Sequence, residues 1–158
     1  MRNSDVIYLI NCGVQATTNH SLSNASAYKA FKFRKILSNI LNTISESEKN
    51  LLKEVGIDDA TKFDERLSTL RVMEKPSKKE SKELEDMQAQ LEKYSGLRDQ
   101  LYNEEADLSS VKAMNYDDWR KLQNENKEVE VNGVKKDVFS GKVEELLEGV
   151  LWTEPNYE

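Results

Sequence analysis

The sequence predicts a mainly α-helical protein: a long antiparallel helical hairpin or bundle, followed by a small C-terminal β-hairpin and a short helix. Three observations carry this. Apolar residues recur at spacings of three and four over two long stretches, 26–55 and 77–114. Gly56 and Pro76 punctuate the chain between them. Near the C-terminus, alternating valines run into Asn132-Gly133, a strong local hairpin signal.

The elements follow in order. In residues 1–23, Val6, Ile7, Leu9 and Ile10 suit a strand or a short helix capped by Ser4, and the polar run 17–23 reads as a loop. This segment is expected to pack on the first long helix. That helix carries Phe33, Leu37, Ile40, Ile44, Leu51 and Val55 in one stripe, widened by Ile36, Leu41 and Leu52 and interrupted by Ser47. Asn24 or Ser26 caps its start, Gly56 takes the left-handed position after its end, and Ile57 adds the apolar contact that accompanies such a cap. Its length would be about 45 Å.

A shorter helix over 58–73 presents Phe63, Leu67 and Leu70, and Pro76 stops it. Ser77 and Glu80 form a capping-box pattern before a second long helix with Leu84, Met87, Leu91, Tyr94 and Leu101. Gly96 weakens that helix, which continues or resumes through Leu108, Val111 and Met114. Asn115 caps a short helix bearing Trp119 and Leu122. A β-hairpin is expected over 128–138, and Ser140 then caps a last helix with Val143, Leu146, Leu147, Val150 and Leu151. Gly149 and Pro155 weaken its end, and the tail 156–158 is expected to be loose.

Together these suggest a single elongated helical domain over 1–158: an N-terminal segment (1–23), a helical hairpin region (26–114), and a helix, β-hairpin and helix (115–152). A helix with one apolar stripe must bury it, so the two long stripes are expected to cover each other, with part of a stripe meeting another copy in coiled-coil fashion.

Composition agrees. The hydrophobic fraction is 37% and the charged fraction 33%, against roughly 45% and a quarter in ordinary globular domains. Such a chain has a thin core. The net charge of −6, from 29 acidic and 23 basic residues, keeps it in solution and disfavours broad binding to nucleic acid or anionic membrane. One cysteine, Cys12, permits no intrachain disulfide, which fits a reducing compartment. No apolar run approaches the roughly 20 residues of a membrane span. The chain is therefore read as neither secreted nor membrane-inserted.

Chemistry-bearing patterns are sparse. Cys12 and His20, single examples of each type, lie in an unpatterned segment with no third group marked to orient a base. A zinc site needs more Cys or His than the chain has. Asp58 and Asp59 open an acidic turn, but Ala60 stands where a calcium loop needs an oxygen ligand. Asp117 and Asp118 read as first-turn carboxylates favoured by the helix dipole. The six glycines are scattered and form no phosphate loop. No catalytic residue, metal ligand or cofactor site is assigned.

The most distinctive run is Tyr28-Lys29-Ala30-Phe31-Lys32-Phe33-Arg34-Lys35. Interleaved cations and aromatics suit an anion or nucleotide contact through Lys29, Lys32, Arg34 and Lys35, or a single-stranded nucleic acid held by charge and stacking. An amphipathic helix looks the same when Tyr28, Phe31 and Phe33 are core or near-core and the cations form a solvated edge. The Lys/Glu run 77–93 has the helical pair spacing of an exposed face. Trp119 and Trp152, with Phe31 and Tyr28, are the candidate interface residues, because aromatics carry interface energy. Either tryptophan also suits anchoring a short amphipathic element to the core.

The helix from Tyr28-Lys29-Ala30-Phe31 through Leu51-Leu52-Lys53-Glu54-Val55-Gly56 is followed at the far end of the chain by a second set of features. These are Trp119-Arg120-Lys121-Leu122-Gln123-Asn124-Glu125-Asn126, the Asn-Gly hairpin, Val138-Phe139 and Val143-Glu144-Glu145-Leu146-Leu147. This arrangement resembles small helical accessory and structural proteins of tailed bacteriophages. The resemblance covers about half the chain, leaves out 58–114, and carries over no functional residue. It implies a non-enzymatic, oligomeric virion or assembly component that works through protein–protein contacts, in the host cytoplasm or the virion. The partner would be another copy, a phage protein or a host protein. The alternative it implies is an inhibitor of host defence, blocking a host protein or sequestering a nucleotide signal. An enzyme ranks third.

Overall fold

The computed structural model describes residues 1–155; the tail expected to be loose, 156–158, lies outside them. The protein is mainly helical. In order it forms α1 (Asn3–Asn11), a 3-10 turn (Val14–Ala16), α2 (Asn24–Glu54), α3 (Ala60–Arg71), α4 (Lys78–Asn103), α5 (Tyr116–Glu125), β1 (Val129–Val131), β2 (Val134–Lys136) and α6 (Lys142–Leu147). Among the described residues no helix is long and apolar enough to cross a membrane.

The chain divides into two compact units: Met1–Asn42 together with the residues from Glu104 onward, and Thr43–Asn103. The first unit holds the larger core. Val6, Leu9 and Val14 meet Ala30, Phe33 and Leu37 of α2, and Met114, Trp119, Leu122, Val138, Phe139, Val143, Leu147, Leu151 and Trp152 complete it. As the sequence suggests, the N-terminal segment packs on α2. Gln15 Nε2 donates to Arg34 O at 2.8 Å and to Ser38 Oγ at 2.6 Å. Gly13, at φ +95°, brings the chain against β1 so closely that a Cβ there would lie 2.4 Å from Val131 Cγ2. Gly13→Ala is expected to cost about 2 kcal/mol or more, from left-handed strain plus the clash, read as a lowered urea midpoint.

In the second unit, α3 buries Leu67 and Leu70 against Met87 of α4, with Phe63, Met73, Leu84 and Leu91 around them. Arg66 forks onto Glu83 with two bonds of 2.8 Å. The C-terminal part of α2 runs antiparallel to α4. Tyr102 donates its hydroxyl to the Glu48 carboxylate, and Gln90 Nε2 donates to Val55 O at 3.0 Å.

The apolar partner of the α4 stripe is therefore α3, and two polar contacts join α4 to the C-terminal part of α2. The first half of α2 buries its stripe under segments from both ends of the sequence. There α1, α5, α6 and the segments flanking α6 supply the apolar partners of Ala30, Phe33 and Leu37.

Several boundaries follow the sequence signals. Gly56 N donates to Lys53 O and Ile57 N to Leu52 O, closing α2 with a left-handed glycine and a buried Ile57. Ser77 and Glu80 exchange both bonds of a capping box, and Asn115 Oδ1 caps α5 by accepting from Asp118 N at 2.8 Å. The hairpin pairs Val129 with Lys136 and Val131 with Val134, and Asn132 and Gly133 both adopt positive φ.

Others differ. Residue 2, not Ser4, precedes α1, and Asp5 accepts from Arg2 N at 2.9 Å. Ser23, the residue before the first helical position, caps α2, accepting from Ala27 N through its carbonyl and from Ser26 N through Oγ; the Ser26 hydroxyl donates to Asp118. Gly96 does not interrupt α4. Residues 104–115 are not helical. Their backbone pairs with the chain ends instead: Asn3 N to Glu104 O, Ala106 N to Met1 O, and Met114 N to Leu151 O. Asp107 also turns the chain by accepting from Ser109 N and Oγ. Gly141, not Ser140, precedes α6, and α6 ends at Leu147; Val150 and Leu151 follow in a turn.

Candidate functional site

The register of α2 sorts the basic-aromatic run onto distinct faces. With 3.6 residues per turn, Ser26, Ala30, Phe33 and Leu37 share one side and are buried. Tyr28, Phe31, Lys32 and Lys35 fall on the opposite side and are exposed. Tyr28 and Phe31 are 59% and 54% accessible. Only Phe33 of the three aromatics is core. The Lys32 ammonium stands 5.6 Å from the centre of the Tyr28 ring, a cation–π contact at a wet surface.

Lys29 and Arg34 lie on the flanks between these faces, and both have partners within the protein. Lys29 Nζ donates to Ala113 O at 3.1 Å. Arg34 donates to Thr17 O at 3.4 Å and Thr17 Oγ1 at 3.2 Å, and partial burial lowers its pKa from the ordinary value. The four cations singled out in the sequence therefore do not converge. Arg34 serves the 3-10 turn and its following loop, and Lys32 and Lys35 remain outward.

Beside the Tyr28 edge of this face is a groove of about 280 Å³, lined by Ala25, Tyr28, Lys29, Lys32 and Phe33 from α2 and by Ser110, Val111 and Lys112 opposite. Its second wall is not apparent from the sequence, because 108–114 carries an apolar spacing that imitates a helix. Lys112 is exposed and adds a cation to the rim. Among the described residues the ion pairs are Met1 with Glu105, Arg66 with Glu83, Lys82 with Asp86 and Lys121 with Asp118. None uses Lys29, Lys32, Lys35 or Lys112.

Trp119 and Trp152 are buried, so they do not form an exposed contact surface. Their rings stack at 5.5 Å and 8°, and Phe139 meets Trp119 edge-on at 5.1 Å. The interface expectation is left to Tyr28 and Phe31.

Buried polar groups that hold this end of α2 were not singled out by the sequence. Asp118, 5% exposed, accepts from Ser26 Oγ, from Ser23 Oγ at 3.0 Å and from Asn115 Nδ2 at 3.1 Å. The Ser26 hydroxyl bond holds its carboxyl below the usual carboxylate range, against burial, with help from Ser23, Asn115 and Lys121. Burial pushes the Glu125 carboxyl up. It is outweighed by donors from Ser21 Oγ, Ser21 N, His20 N and Thr18 Oγ1, so the net shift is downward. Asn126, fully buried, bonds both the N–H and the carbonyl of Thr18. These three side chains fix the 17–23 loop, and so fix where α2 begins.

The arrangement offers an aromatic-basic face and an apolar groove, with no cluster of His, Cys, Asp and Glu placed to hold a metal among the described residues. Comparison with protein-family models, with curated proteins and with solved structures finds no match for this chain.

Proposed function

We propose that the protein is a non-enzymatic binding protein of the tailed-phage accessory type, a virion or assembly component that engages a protein partner through the outward face of α2. One observation carries this. Tyr28 and Phe31 are large aromatics standing more than half exposed on a helix whose opposite side supplies the core. Isolated exposed apolar residues are ordinary, but aromatics side by side with Lys32 and Lys35 have the composition of an interface centre with a polar rim.

A blocker of a host protein would use the same face. A nucleotide-sequestering role has less support, since Arg34 and Lys29 already bond Thr17 and Ala113. That role requires a thermal shift with cyclic nucleotides, by mass action.

Affinity capture from the cells in which the protein acts tests contact through α2. The wild-type chain is expected to retain a discrete partner, and Tyr28→Ala/Phe31→Ala to lose at least about tenfold of it, with melting temperature unchanged because neither ring is in the core. Equal retention by both chains, or no partner for either, contradicts the proposal.

A further inference from the structure

We propose that the groove beside α2 takes a single apolar side chain of an acidic protein segment, whose carboxylates lie on Lys32, Lys35 and Lys112. This rests on the protein-contact role above and specifies the chemistry of the partner.

Size is the first support. Pockets for whole small ligands occupy roughly 300–1,000 Å³; this groove, at about 280 Å³, is ample for one leucine or phenylalanine side chain. Its lining suits such an anchor. Ala25, Val111, the Phe33 and Tyr28 rings and the aliphatic stems of Lys29 and Lys32 present carbon, and Ser110 adds the only neutral hydroxyl besides that of Tyr28. An apolar anchor leaves no hydrogen bond unmade there, whereas a nucleobase buried in the groove would leave most of its edge without partners.

Charge is the second support. In a chain of net charge −6, Lys32, Lys35 and Lys112 form no ion pair among the described residues. They therefore offer a local positive rim on an acidic body. A long polyanion would meet repulsion from the rest of the surface, while a short acidic segment feels mainly the rim, because screening confines the field to about 8–10 Å in physiological salt. Lys35 lies one helical turn beyond Lys32 on the same exposed face, which extends the rim along α2.

Fluorescence anisotropy with a labelled glutamate-rich peptide carrying one central phenylalanine tests the proposal. The peptide is expected to bind, and the same peptide with alanine in place of phenylalanine to bind about tenfold more weakly or worse. Lys32→Glu/Lys112→Glu is expected to weaken the phenylalanine peptide by about tenfold and to flatten its salt dependence. Ala25→Trp, at an exposed position of the first turn of α2, fills the groove without touching the core and is expected to abolish the preference for phenylalanine over alanine. No binding overturns the proposal, as does equal affinity for the two peptides. Displacement of the peptide by ATP or polyuridylate at equal phosphate and carboxylate concentration overturns it in favour of a nucleotide or nucleic-acid site. If the affinity capture described above retains a partner through Tyr28 and Phe31 while the peptide fails, the acidic-anchor chemistry falls and the protein-contact role survives. If both fail, both are wrong.

Discussion

Replacing Trp119 with alanine is expected to cost about 3–5 kcal/mol, a large share of the roughly 5–15 kcal/mol by which an ordinary domain is stable. Trp119 is the largest fully buried side chain, stacked on Trp152 and met edge-on by Phe139. Truncation removes the ring on which α5 and the segments either side of α6 converge, and residues drawn from distant parts of the sequence cannot easily collapse into the space. Equilibrium urea unfolding is expected to show a sharply lowered midpoint. Trp119→Phe is expected to cost much less. The indole N–H of Trp119 has no protein acceptor, so phenylalanine gives up area but no hydrogen bond within the chain.

The second large effect is expected at Asp118. Asp118→Ala leaves the hydroxyls of Ser23 and Ser26 and the Asn115 amide without their shared acceptor. Hydrogen bonds to a charged group are worth about 1.5–3 kcal/mol each, but these overlap, so a loss of about 3 kcal/mol is expected. Asp118→Asn keeps one acceptor oxygen and should cost less.

The charge adds a pH dependence with a definite sign. The folded pKa of Asp118 is depressed, as is that of Glu125. Their stabilisation is therefore complete above the unfolded values, about 3.9 and 4.3, and is lost as pH falls through the lower folded values. Wild type is expected to lose stability below about pH 4, and Asp118→Asn to show a shallower loss over the same window. An equal slope in the two proteins would show that the Asp118 charge does not contribute.

The residues that sequence alone made legible are those whose roles are local. Phe33, Leu37 and Ile44 declare the buried side of α2 by their spacing, whereas Tyr28 and Phe31, equally compatible with a near-core place in the sequence, prove exposed. Gly56, Ser77 with Glu80, Asn115, and Asn132-Gly133 act on neighbours a few residues away, so their caps and turn could be read directly.

What stayed hidden depends on distant partners. Asp118 looks like an ordinary first-turn carboxylate until Ser26, 92 residues earlier, reaches it. Asn126 bonds Thr18 across 108 residues. Leu108, Val111 and Met114 keep a spacing of three, yet their segment makes a single turn, with Val111 N donating to Leu108 O, and is tied at its two ends to Met1 and Leu151. Misreading that segment as helix concealed the second wall of the groove, and with it Lys112. Trp119 and Trp152 show the same limit. In sequence they suit either an interface or an anchor to the core; the fold places them in the core and reveals that they stack on each other.

Site-specific photo-crosslinking tests contact through α2 most directly. A photoreactive phenylalanine analogue at position 31 sits where an exposed ring already stands, and one at position 72 sits at a site 79% exposed in the other compact unit. In the cells where the protein acts, position 31 is expected to yield a discrete covalent adduct with a protein and position 72 to yield none. Adducts of equal yield at both positions, or none at position 31 with the chain folded, would contradict contact through the outward face of α2.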